Sequence, residues 1–467
     1  MTEEIPRLMC TQHPDSATKV STAEEVDEAI QSFTLFGCEE VMSDYEGKLT
    51  PYAQPKDIVI KAHKAELALG TDFLITPRIP NPSLEEMERV VLSIDAALIA
   101  NYYSYKLLGA QAVKWVILPM VEDPLIVELV HRLLVKKANV LREELKVPVN
   151  NVQIIPLVED VDEIINVHRH INAVLRSGEE MGIKYDSIRV FLGKSDASVR
   201  NGHIASSISI VYSLNLLRHL KKRLGMNIYP IIGMGSPPFR GGLNNPRLVD
   251  MEVDNYRGYY TTTIQSAVRY DIPYHDYIGV KKKLWDNVGK EPRYIDAGDS
   301  LKIIRKAGVK YRSLVSRYID VINKYAHVIP STRDRVVWRE YGRVVVLEDR
   351  RLNVPRAIMY TAIWYLVGIP PVYLDAPFII ETAKNGELEE LLKLLPYLVD
   401  EWKYESSYYS PSIASKRLDE SIVHIVNEAL DILGIKPEPN DSYVNLLSMN
   451  PMEPYVLSLA KIRGFLG

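Results

Sequence analysis

The sequence predicts an α/β fold, a (β/α)8 barrel of TIM type elaborated with additional helices and followed by a helical C-terminal region. Three observations carry that prediction. Short apolar runs bounded by turn residues alternate with long helical patterns through most of the 467 residues, which is the pattern of a parallel sheet whose crossovers are helices. The runs number eight, the count that closes a barrel. No G-x-G-x-x-G turn follows the first run, as an open doubly wound sheet would usually show.

In order, the strand-like runs are GCEEVMSD (37–44), DFLITPR (72–78), KWVILPMVED (114–123), VQIIPLVED (152–160), IRVFLGKSD (188–196), NIYPIIGMG (227–235), TTIQSAVRYD (262–271) and PRAIMYTAI (355–363). Between them, Ser21 with Glu24 and Ser83 with Glu86 fit the S-x-x-E capping box, and Gly37 and Gly109 stand where helices end. The stretch 357–374, AIMYTAIWYLVGIPPVYL, is about the minimum length for a membrane span, but two prolines and a glycine interrupt it. It reads as a buried strand in the barrel wall. After residue 376 the pattern is helical, with GELEELLKLL and then SKRLDESIVHIVNEALDILG closing on Gly434. No repeat or Ser/Gly linker divides the chain, so it reads as one catalytic unit. Its parts are a segment 1–36, a barrel over 37–375 and a helical region over 376–467.

Composition narrows the function. With 56 basic against 60 acidic residues and a net charge of −4, no sign dominates, which argues against a nucleic-acid partner. Cys10 and Cys38 are the only cysteines and form no CxxC, so neither a disulfide framework nor a thiolate zinc site is expected, and a reducing compartment is. MTEEIP precedes no apolar run and does not resemble a signal peptide. Six glutamines among abundant Lys, Glu and Ile lean toward a heat-adapted protein.

In a barrel, the carboxyl ends of the strands converge on one mouth. Those ends offer Asp44, Arg78, Glu122 with Asp123, Glu159 with Asp160, Asp196, Arg240 and Arg269. Carboxylates and arginines around one cavity suggest a divalent cation beside an anionic substrate, although any single member reads equally well as a solvated strand end. Glu159 and Asp196 end neighbouring strands about 4.8 Å apart, so both can reach one hard cation, Mg2+ or Mn2+. In GMGSPPFRGGL (233–243) the glycines permit close backbone approach, and Arg240 offers a planar fork for phosphate or carboxylate. A plain Gly-Pro turn is the bland alternative. TQHPD places His13 ahead of the first helical pattern, an unusual position for a structural histidine.

TQHPD, PLVED, FLGKSDAS, FRGG, TIQSAVRYD and PRAI occur in the order of the motifs of phosphoenolpyruvate carboxylase. The length and the TQHPD form are similar to the short archaeal type. The resemblance implies a helix-elaborated barrel, a cytoplasmic homotetramer with no membrane or nucleic-acid partner, and dependence on Mg2+ or Mn2+. It also implies the irreversible, anaplerotic carboxylation of phosphoenolpyruvate with bicarbonate to oxaloacetate and phosphate. Carried over by motif, His13 is the catalytic histidine, Glu159 and Asp196 hold the metal, and Arg240 lies near carboxyphosphate and CO2. Arg356 and Arg78 bind substrate phosphate, and Arg343 matches a further arginine upstream of PRAI. Two departures stand out. The family's lysine three residues after the G-x-S-D aspartate is Val199 here, and the first arginine of its double glycine loop is Met234. Arg200 and Arg269 are the candidates to supply the missing charge. The family's C-terminal asparagine, part of an aspartate-inhibition site, is replaced by Gly464. Another phosphoenolpyruvate/pyruvate-type barrel lyase or mutase, or a non-catalytic metabolite-binding subunit, are the alternatives.

Overall fold

The structure is a computed structural model that describes residues 5–12, 15–148, 150–330, 343–347 and 350–467. Eight parallel strands form its centre: β1 (Leu8–Thr11), β2 (Glu40–Met42), β3 (Leu74–Ile75), β4 (Trp115–Leu118), β5 (Gln153–Val158), β6 (Ser187–Gly193), β7 (Asn227–Gly233) and β8 (Thr261–Ile264). Their order is β3-β2-β1-β8-β7-β6-β5-β4. The barrel closes just beyond β3, where Ile79 N donates to Ile117 O at 2.9 Å and Ile117 N to Pro77 O at 2.8 Å.

Seven of the eight predicted runs supply strands β2 to β8. The eighth does not: PRAIMYTAI enters the helix Ala357–Leu366. Nine of that helix's ten residues are buried, and a segment apolar on every side carries no periodicity that separates a strand from a core helix. The missing strand is β1, inside the stretch 1–36 that the sequence reading set apart from the barrel. Four residues, LMCT, are too short to show alternation.

Strand side chains alternate between two apolar environments, as in any parallel sheet covered by helices. Met9, Met42, Leu74, Trp115, Ile117, Ile155, Leu157, Phe191 and Ile231 fill the barrel. Leu8, Val41, Ile75, Val116, Ile154, Val190 and Ile232 face the surrounding helices. One ion pair lies inside the barrel, where Arg189 donates two hydrogen bonds to Glu40, at 2.8 and 2.7 Å.

The pairing of β1 with β2 sets Cys10 opposite Val41, three residues from Cys38, and the two cysteines form a disulfide, Cα to Cα 5.8 Å. This corrects the expectation drawn from cysteine spacing. Adjacency of the two residues is created by the barrel, not by any motif. Ser21 and Glu24 make the predicted capping box. The helix Met87–Leu108 starts after Glu86 with no side-chain cap, so Ser83 is not a capping residue, while Gly109 ends that helix in the left-handed region at φ 69°. The C-terminal region is helical as predicted, except that Asp419 starts a new helix, Glu420–Ile432, inside the SKRLDES run. β9 (Arg343–Leu347) and β10 (Arg350–Val354) form a separate antiparallel pair. Among the described residues no single helix is long and apolar enough to cross a membrane. Ala357–Leu366 and Pro371–Lys384 pass that test only as a pair bent by 91°.

Candidate active site

The strand ends open into a cavity lined among others by Thr11, Arg78, Glu159, Asp196, Arg240 and Arg356. Its apolar lining comes from Met42, Leu157, Phe191 and Ala357. Glu159 and Asp196 follow β5 and β6 directly, and Gly193 lets them approach: a Cβ there would lie 2.8 Å from Glu159 Cγ. Burial, and then the Asp196 charge, push the Glu159 carboxyl up to about 8. Burial pushes Asp196 up too, but the Arg343 guanidinium outweighs it and holds that carboxyl below its usual range. Two carboxyls in one dry site cannot both ionise without a cation. Glu159 Oε2 and Asp196 Oδ1 are buried without a hydrogen-bond partner, which is the arrangement a hard divalent ion satisfies with oxygen ligands. Among the described residues no group of three or more His, Cys, Asp or Glu is placed to hold a metal. The remaining ligands of an ion here would be substrate oxygens and water.

The arginines surround this pair. Arg78 grips Asp44 with two hydrogen bonds of 2.8 Å and lies 3.0 Å from Glu46. Arg343 donates to Asp196 at 2.5 Å and lies 3.8 Å from Glu46. Arg356 donates to Glu46 at 2.9 Å. One buried carboxylate, Glu46, thus organises three guanidinium groups, a role that its position in SDYEGK does not announce. Arg240 folds back over Gly235, where a Cβ would stand 2.9 Å from its Cζ. It donates to Ser195 Oγ at 3.0 Å and to the Gly467 carbonyl, with Asp15 3.7 Å away.

Other predicted residues lie elsewhere. Arg200 spans Glu122 and Asp160, at 2.8 and 3.1 Å, in an adjoining small pocket. Arg269 holds the Thr11 carbonyl and Glu28 at 2.5 and 3.1 Å and does not line the cavity. Asp123 and Asp160 serve as helix caps, accepting from Leu125 N and Asp162 N. Val199 and Met234 are buried apolar residues. Gly464 ends the helix Glu453–Arg463 at φ 84°, and Arg463 is tied to Tyr443 and the Leu466 carbonyl, both at 2.8 Å. His13 and Pro14 lie outside the described residues. Their neighbours are fixed: Gln12 accepts from Asp44 N at 3.2 Å, and Asp15 accepts from Ser266 Oγ and Ala267 N at 2.8 and 2.7 Å. Asp15 was legible only as the last letter of TQHPD; its capping of the helix Ser266–Tyr270 needs β8 beside β1.

Comparison with known proteins gives one answer over the whole chain. The phosphoenolpyruvate carboxylase family profile matches residues 5–467. The chain is 51% identical to the phosphoenolpyruvate carboxylase of Thermofilum pendens, over 99% of this chain and 100% of that one. The identity to that of Pyrobaculum islandicum is 49%, with the same coverage. To that of Methanosarcina mazei it is 30%, over 97% and 93%. Among solved structures, an HpcH/Hpal aldolase/citrate lyase family protein from Burkholderia cenocepacia aligns with 57% of this chain and 90% of its own, at TM-score 0.36 and 16% identity. The chain therefore belongs to the phosphoenolpyruvate carboxylase family, enzymes that join bicarbonate to phosphoenolpyruvate to give oxaloacetate and phosphate.

Proposed function

We propose a division of labour for that reaction in which Arg78 and Arg356 hold the phosphate and carboxylate of phosphoenolpyruvate, Arg343 serves catalysis by steadying Asp196, and Arg240 holds the carboxyphosphate and CO2 derived from bicarbonate. The observation that carries it is the convergence, on one cavity, of Arg78, Arg240 and Arg356 with two carboxylates that each have one buried oxygen without a hydrogen-bond partner. Glu159 and Asp196 would hold Mg2+ or Mn2+, which when bound neutralises phosphate charge and draws electrons from the transferring group. Bicarbonate oxygen attacks phosphorus, the bond from phosphorus to the enol oxygen breaks, and the pyruvate enolate is left. The guanidinium groups stabilise charge that spreads over the phosphoryl oxygens.

An imidazole nitrogen of His13 then takes the carboxyl proton of carboxyphosphate, whose C–O bond breaks to give CO2 and phosphate, and the proton passes to phosphate. The enolate carbon attacks CO2. A stray proton would instead yield pyruvate, and the apolar lining of Met42, Leu157, Phe191 and Ala357 keeps water from the enolate. Arg269 has a supporting part, since it fixes the Thr11 carbonyl at the end of β1, and Arg200 guards the small pocket behind the carboxylate pair. A cytoplasmic homotetramer completes the reading, on the strength of the family resemblance. The test is oxaloacetate formation from phosphoenolpyruvate and bicarbonate, coupled to malate dehydrogenase. Folded, Mn2+-loaded protein that makes none would leave a metabolite-binding subunit as the better reading.

A further inference from the structure

Directly behind the Arg240 turn lies a buried lysine that the reaction scheme does not use. Lys194 begins the helix Lys194–Asn201 that carries Asp196, and it has no exposed surface. Its ammonium reaches the neighbouring turn, donating to the Phe239 carbonyl at 3.0 Å. It also reaches Ser198 Oγ at 3.2 Å and His203 Nδ1 at 3.3 Å. An ammonium can only donate, so Nδ1 accepts and the ring proton belongs on Nε2. Nε2 in turn faces Glu401 Oε2 at 2.8 Å. Lys194, His203 and Glu401 therefore form a buried chain with one cation, one neutral ring and one anion. Glu252 continues it: burial, and then the Glu401 charge, push its carboxyl well up, and it packs against Gly242, where a Cβ would stand 2.8 Å from Glu252 Oε1. Both ends of the glycine turn are thus held from behind, through the Phe239 carbonyl and through Gly242.

We propose that Lys194 is a positioning residue, whose ammonium, anchored by His203 and Glu401, fixes the Pro238–Arg240 turn against the helix bearing Asp196 and so sets the spacing of Arg240 from the carboxylate pair. A buried charge is retained here because its hydrogen bond crosses between two loops that must keep register. A shorter or apolar side chain leaves the Phe239 carbonyl unpaired and the turn free to shift. The role rests on Arg240 acting in the cavity, as proposed above.

The experiment compares the parent with Lys194→Met and with Lys194→Met/Glu401→Gln. The single variant strands a buried carboxylate and is expected to be unstable; the double variant keeps the network neutral. Oxaloacetate formation is measured per Mn2+-binding site, with sites and affinity counted by electron paramagnetic resonance. In the double variant kcat is expected to fall roughly ten- to hundredfold, the worth of a hydrogen bond from a charged donor, while Mn2+ affinity stays within about twofold. A folded double variant with kcat within about twofold of the parent would overturn the inference. So would a loss of Mn2+ affinity as large as the loss of kcat, because that marks collapse of the whole site. Failure of the parent itself to make oxaloacetate would count against the functional reading instead.

Discussion

The two carboxylates of the central cavity are not equivalent, and neutralising each should give a different kind of defect. Glu159 Oε2 is without a hydrogen-bond partner, so Glu159→Gln should act chiefly on the proposed ion site. Asp196 offers one orphaned oxygen, Oδ1, while Oδ2 accepts from Arg343 at 2.5 Å. Asp196→Asn should therefore weaken the proposed ion site and also cost Arg343, which lies 3.8 Å from Glu46, its charge-assisted hydrogen bond. A charge-assisted hydrogen bond of that kind contributes about 1.5–3 kcal/mol, or roughly ten- to hundredfold in a rate that depends on it. Both variants should need much more Mn2+ for half-maximal oxaloacetate formation. At saturating Mn2+, Glu159→Gln should recover most of its kcat, and Asp196→Asn should remain down by that further factor. The assay is a Mn2+ titration of the coupled rate for each variant. An unchanged half-saturation in either would remove that residue from the metal site. Equal recovery of both at high Mn2+ would refute the second function of Asp196.

His13→Asn should suppress oxaloacetate far more than bicarbonate-dependent release of phosphate and pyruvate, measured in parallel; normal oxaloacetate output would rule out the assigned proton transfer. Replacing Cys10 and Cys38 by serine frees a loop of 28 residues. The loss expected from loop entropy is about 3.5 kcal/mol, read from denaturation of the oxidised parent and the double variant. Burial pushes the Asp375 carboxyl up to about 7, so its contribution to stability is full below the unfolded value near 4 and is lost as the pH rises through 7. Asp375→Asn should therefore be less destabilised than the parent between pH 5 and 8 in thermal melts, and parallel curves would contradict this. Aspartate inhibition should be weak or absent, because Gly464 has no side-chain amide to offer and Arg417 is bound to the Leu447 and Met449 carbonyls. Strong inhibition at micromolar aspartate, at subsaturating phosphoenolpyruvate, would refute that expectation.

Much of this protein was legible in one dimension. Strands β2 to β8 announced themselves because each is an apolar run cut off by turn residues, and the chemistry follows because a parallel barrel delivers the residue after each strand to the same end. That rule put Glu159, Asp196 and Arg78 at the mouth, where they line the cavity, and Arg240 reaches it from the turn beyond β7. Its limits appear where local pattern and tertiary environment separate. A four-residue strand such as Leu8–Thr11 is too short to have a period, and a helix buried on all sides, Ala357–Leu366, has none to show. The Cys10–Cys38 bridge, the clasp of Glu46 on three arginines and the reach of Lys194 to the Phe239 carbonyl join residues up to 310 positions apart. Spacing along a chain cannot encode such contacts; they exist only because closure of the barrel brings strand ends, the glycine turn and the C-terminal helices to one place, where burial makes an unpaired charge costly.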